Sequence, residues 1–206
     1  MTPEQNELPP VKKQHPSRCT GHGGGSPCAT KDEKGGETSV KMTESRLAIL
    51  KARLKETSFH QEPASAERHY SWEGGLAAHS NNVAVNLRYL TTKLDLKWAD
   101  PESPEIIGYA HDACKIGAYI KDEDGKYHYN ADHPRGHGEL SVYLVTKWIE
   151  LTEEEKACIR WHMGAFDVKE NWNRYNEAIH RFPNVLFTHT ADMMAAHIDE
   201  VEEGGP

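Results

Sequence analysis

Apolar residues recur every three or four positions along most of the chain, between breaks rich in Pro, Gly and Asp, and this pattern predicts an all-α domain. Thr43 to Lys55 places Leu47, Leu50 and Leu54 at helical spacing. Leu76 to Leu94 aligns Leu76, Val83, Leu87, Leu90 and Leu94 on one stripe, and His79 falls on the same face. After a connection through Trp98 and Pro104, a helix led by that proline runs over Ile106, Ile107 and Ala110 to His111 and Asp112. Glu139 to Glu150 turns Leu140, Tyr143, Leu144 and Trp148 toward the core. Thr152 caps a helix that ends at His162 before Gly164, with Glu153 to Glu155 at its positive end. A short helix over Tyr175 to His180 and a last one over Asn184 to Glu200 follow, and the latter carries Val185, His189, Asp192 and Ala196 on its inner stripe.

Two regions depart from the helical period. Ala118 to Asn130 holds two aromatic-rich arms, Tyr119-Ile120 and Tyr127-His128-Tyr129, around Asp124-Gly125, which predicts a small exposed β-hairpin over one side of the candidate site. Residues 1–42 have no apolar period and are rich in Pro, Gly, Lys and Ser, which predicts a disordered tail ahead of a domain over 43–206. The tail contains His15, Cys19, His22 and Cys28, all zinc-ligand types, but their spacing matches no common finger and no apolar residues support one.

Composition narrows the partners. The 206 residues carry a formal net charge of -8 and a mean hydropathy of -0.76. That opposes sequence-blind binding to long duplex nucleic acid, which needs a basic surface. No apolar run approaches membrane-spanning length, and the first ten residues lack the apolar core of a secretory signal. Four widely scattered cysteines are no disulfide framework, which predicts a reducing, cytoplasmic setting. A homo-oligomer is compatible with all of this.

Thirteen histidines are the unusual feature. His79 lies on an apolar stripe, His111-Asp112 ends an apolar helix, and His137 stands at a helix start. His162 closes another helix, and Asp192 sits in the middle of a buried face. Each has an ordinary explanation alone: a core histidine, a helix-end pair, a loop histidine, a histidine favoured by the helix dipole, or a partner to a buried arginine. Buried carboxylates and imidazoles are costly without compensation, and one metal site accounts for all six residues at once.

The ordered set resembles the HD superfamily of metal-dependent phosphohydrolases. Gly74-Gly75-Leu76-Ala77-Ala78-His79-Ser80 looks like that family's first-histidine motif, and His111-Asp112-Ala113-Cys114-Lys115 like its central one. Gly136-His137-Gly138-Glu139 and Arg160-Trp161-His162-Met163-Gly164 are similar to a six-ligand subgroup common in phages and prophages. The likeness covers about residues 45 to 200. It implies an HD-type helical bundle in which His79, His111, Asp112 and Asp192 hold one divalent ion. Asp112 would bridge to a second ion held also by His137 and His162. Mn, Fe, Co, Ni or Zn suit these donors, and Mg is admissible. Cys114 replaces the glycine of the commoner motif, and a packed small hydrophobe is preferred there to a thiolate ligand.

The implied reaction is hydrolysis of a phosphoester in a nucleotide or short oligonucleotide, with Asp112 and Lys115 as catalytic residues. Lys115 would steady a nonbridging oxygen, and His133 and Arg135 would reach the substrate from the loop before His137. Tyr70, Trp72 and Trp161 would either wall a base or pack in the core. The same ligand set also suits an HD-fold di-iron oxygenase, and a nucleotide-binding regulator without turnover is the third expectation.

Overall fold

The computed structural model describes residues 44–199, so the tail and its His15, Cys19, His22 and Cys28 lie outside the described residues. The chain divides at Lys41 and Met42, and the described residues belong to the second unit. They are mostly helical: α1 Arg46–Lys55, α2 Gly75–Leu94, α3 Ser103–Ala110, α4 His137–Val145, α5 Glu153–Trp161, α6 Trp172–Arg181 and α7 Asn184–Met194. A π-helical turn, Ala195–Asp199, continues α7. Strands β1 Tyr119–Lys121 and β2 Tyr127–Tyr129 pair antiparallel, with Tyr119 opposite Tyr129, and Gly125 supplies the positive φ of 82° that the turn needs.

Sequence-local rules explain most of the helix boundaries. Ser45 Oγ accepts the Ala48 N–H to cap α1, and Pro104 occupies the first turn of α3. Thr152 and Glu155 form a reciprocal capping box at α5, satisfying two end donors of that helix. The core draws Leu50 and Leu54 from α1, Leu76, Val83 and Leu87 from α2, and Ile106 and Ile107 from α3. Val145, Ile159 and Val185 add the contributions of α4, α5 and α7. Helix α2 packs on α3 and α7, and α5 packs on α4 and α7.

Some expectations are corrected. Helix α4 ends at Val145 rather than Glu150, because the Thr146 hydroxyl donates to the carbonyls of Val142 and Tyr143 and the chain tightens into a turn. Its buried face is Gly138, Ser141 and Val145, continued by Ile149, while Tyr143 is exposed. Leu94 is exposed as well, since the last turn of α2 runs beyond the core. Helix α6 begins at Trp172, three residues before the expected start at Tyr175. Helix α3 stops at Ala110, so His111 is its C-cap and Asp112 lies outside the helix at φ -106°, ψ 18°. Neighbouring helical side chains diverge by about 100°, and leaving the helix between these two residues lets both turn to one point.

Candidate metal centre

His79, His111, Asp112, His137, His162 and Asp192 come from α2, the end of α3, the start of α4, the end of α5 and the last turn of α7, and they meet. Five of the six are buried, and His137 is about one-third exposed. Two glycines make the approach. At Gly108 an added Cβ would lie 2.5 Å from Ala84, so α3 touches the backbone of α2 beside the His79–His111 pair. At Gly138 a Cβ would lie 2.2 Å from the Arg160 carbonyl, so α4 touches α5 beside the His137–His162 pair.

The donor atoms form two groups, and His111, His162 and Asp192 also approach one another across them. His79 Nε2 lies 3.1 Å from Asp192 Oδ1, 3.6 Å from Asp112 Oδ2 and 3.2 Å from His111 Nε2. His111 Nε2 is 3.3 Å from Asp112 Oδ2. These four atoms are the inner group. In the outer group, Asp112 Oδ1 is 3.1 Å from His137 Nε2 and 3.6 Å from His162 Nε2. Ligands about 2.1 Å from one ion sit ~3.0 Å apart at right angles and ~3.4 Å apart in a tetrahedron. Both groups match that spacing, and Asp112 gives one oxygen to each.

The ring protons of His111 and His162 are placed for ligation, whereas His79 Nδ1 is buried with no partner among the described residues. His111 Nδ1 donates to the Gly108 carbonyl at 2.8 Å and His162 Nδ1 to the Ile159 carbonyl at 2.7 Å, which leaves both Nε2 lone pairs facing the cluster. His189, half-buried on α7, donates from Nδ1 to the His162 carbonyl at 2.8 Å and steadies that residue from behind. Asp112 Oδ1 and His162 Nε2 are buried acceptors with no hydrogen-bond partner among the described residues. A cation between them satisfies both, and this is the physical fit to metal.

The charges agree. Burial, opposed by Asp192, holds the His79 pKa below its ordinary value. For Asp112, burial would raise the pKa, but Lys115 and His111 outweigh it and the carboxyl is held well below the usual range. Burial would raise Asp192 too, but its bond to His79 outweighs this and the carboxyl is held low. A neutral His79 and ionised carboxylates are the states a metal ligand needs. Lys115 Nζ is 2.7 Å from Asp112 Oδ2, and although burial works against its charge, Asp112 raises its pKa.

The cluster forms one wall of a cavity of about 670 Å³. Sequence reasoning missed several of its other walls, Arg68, His69, Phe166 and Met193, while Tyr119 comes from the hairpin expected over one side of the site. His69 is carried by a tight loop in which Ala64 N–H donates to the Tyr70 carbonyl and Ser65 Oγ to the His69 carbonyl. No helical or strand period marks a loop residue, so only its neighbourhood to His79 in the fold reveals it. Burial and the nearby Lys115 push the His69 pKa down to about 4.

The other expected substrate residues are placed differently. His133 and Arg135 do not line this cavity; they line an adjoining cleft that shares Lys115, Tyr119 and His137 with it. His133 Nε2 donates to the Cys114 carbonyl at 2.6 Å, and Arg135 lies 5.5 Å from the Tyr129 ring. Tyr70 and Trp72 stack on each other at 4.9 Å, and Trp161 lies under the Arg160 guanidinium. None of these three aromatics lines the cavity, and Tyr70 belongs to the core. Cys114 is buried, as a packed residue would be, but its Sγ also lies 3.0 Å from His137 Nδ1. Comparison with protein-family models, curated proteins and solved structures finds no match, so the chemistry of the site rests on its own residues.

Proposed function

We propose that the chain is an HD-type phosphohydrolase that holds two divalent transition-metal ions and cleaves a phosphoester of a nucleotide or short oligonucleotide. The observation that carries this reading is Asp112, whose two oxygens face separate groups of imidazole nitrogens on the floor of one cavity. Support for the family comes from all six residues of the resemblance converging, in that order along the chain. Four imidazoles favour Mn, Fe, Co, Ni or Zn over Mg, which prefers oxygen. Bound ions supply a water acidified from a pKa of 15.7 to about 7, and they polarise the phosphoryl oxygens.

The protein's own residues do the rest. Asp112 fixes the spacing of the two positions, and Lys115 keeps a permanent charge at the cavity wall to steady a nonbridging phosphoryl oxygen. Tyr119 and Phe166 offer ring surfaces to a base or sugar. The cavity volume falls in the range of small-molecule sites, which with the acidic chain favours a small substrate or a free strand end. We place the protein in the cytoplasm, where buried free thiols such as Cys114 and Cys158 stay reduced. No described helix is long and apolar enough to cross a membrane.

The test is metal analysis of protein purified without chelator, followed by turnover of mono-, tri- and cyclic nucleotides and short strands with the metal found. Phosphate or nucleoside release with a redox-silent ion under nitrogen is the expected result, and it also excludes an oxygenase. Metal-loaded protein that is inert toward all of these substrates overturns the reading.

A further inference from the structure

We propose that Cys114 is the positioning residue of His137, and that through it this thiol sets the affinity of the outer half of the cluster. The inference rests on the two-ion reading above. His111 and His162 orient themselves in the same way. Each is a helix C-cap, and each donates from Nδ1 to the carbonyl three residues back, one of the carbonyls a helix end leaves free.

His137 cannot do this. It is the first residue of α4, and a helix N-terminus offers N–H donors and no carbonyls. Its acceptor comes from elsewhere: Cys114 Sγ, 3.0 Å from Nδ1. A thiol sulfur is a weak acceptor, but a well-placed one fixes the proton on Nδ1 and points Nε2 at Asp112 Oδ1, 3.1 Å away.

The sulfur is itself held. The Cys114 N–H donates to Ser141 Oγ at 3.0 Å, and Ser141 lies one turn beyond His137 on α4. The turn that carries Cys114 is therefore pinned to α4, so sulfur and imidazole move together. The unpartnered Asp112 Oδ1 and His162 Nε2 mark the position that His137 is being aimed at. A glycine at 114 would have no side chain to offer His137.

The experiment is calorimetric titration of the full chain with Co(II), read together with the visible absorption of the bound ion. Wild type should show two binding events, and His137→Ala should lose the weaker one. Cys114→Ala and Cys114→Gly should weaken that same event roughly 10- to 100-fold, the usual cost of removing a ligand's supporting partner, and leave the tighter event unchanged. Cys114→Ser keeps an acceptor and should restore it. Two events of wild-type affinity in Cys114→Ala overturn this inference alone. A sulfur-to-cobalt charge-transfer band overturns it in favour of a thiolate ligand. A folded wild-type chain that binds one ion or none overturns the two-ion reading and this inference with it.

Discussion

Glu155 and Asp112 both bury a carboxylate almost completely, and their surroundings differ in one respect. Glu155 accepts from both Arg46 guanidinium nitrogens at 2.8 Å, from Ser103 Oγ at 2.7 Å and from the Thr152 N–H at 2.8 Å, two bonds to each oxygen. Asp112 has Lys115 on Oδ2, while Oδ1 faces imidazole nitrogens and has no hydrogen-bond partner. The first carboxylate is fully met by the protein and ties α1, α3 and α5 together. The second is half met, and what it lacks is positive charge. A buried carboxylate alone is therefore not a sign of function; the unmet oxygen is.

That contrast breaks most visibly on removing either group. Glu155→Ala should cost about 3–5 kcal/mol in urea unfolding, because it leaves Arg46 without its main partner, and it should leave metal stoichiometry intact. Asp112→Asn should abolish both binding events by calorimetry, and it should also destabilise the metal-free chain, because it leaves the buried Lys115 ammonium without its carboxylate.

Metal itself is the next largest lever. A divalent ion at a hundred times its dissociation constant should stabilise the chain by about 2.7 kcal/mol, roughly 5–10 °C in thermal melting, and a chelator should reverse it. The increment should persist in Glu155→Gln and vanish in Asp112→Asn.

The two glycine contacts sharpen the comparison within the cluster. Gly108→Ala and Gly138→Ala should each cost about 1–3 kcal/mol from overpacking, measured by chemical denaturation. Gly108→Ala should weaken the inner ion, and Gly138→Ala the outer one.

Acidity should give the smallest effect. His69 in the folded chain takes up a proton only near pH 4, and His79 is also depressed, whereas unfolded histidines do so near 6.5. The unfolded state binds more protons in that window, so metal-free stability should fall as pH drops from 6.5 toward 4. Denaturation at pH 7 and pH 5 measures it, and His69→Asn should flatten the slope.

How much of this was legible in the sequence follows from where the signal is stored. Helical period and capping residues are local, so the stripe of α2, the cap at Thr152 and the hairpin around Gly125 could be read directly. His79 and Asp192 were legible because polar groups on apolar faces violate local expectation, and His111, Asp112, His137 and His162 through the resemblance of the short motifs around them. Arg68, His69 and Phe166 reach the cavity from loops and short turns, where no periodicity points, and only tertiary packing shows them. Tyr143 and Leu94 misled because a helical stripe says nothing about where the core ends. The contact between Cys114 and His137 joins residues 23 positions apart, and no spacing rule encodes it.

Gly108 and Gly138 have a last consequence. In each half of the cluster, main chain rests against its neighbour, so the gap between paired imidazoles is as stiff as a contact of hard spheres. The Asp112 carboxylate faces both halves, and His111, His162 and Asp192 also meet across them. The pocket thus resembles two rigid jaws meeting along a seam of side chains, and swapping a smaller cation for a larger one should move those side chains before it moves either backbone contact.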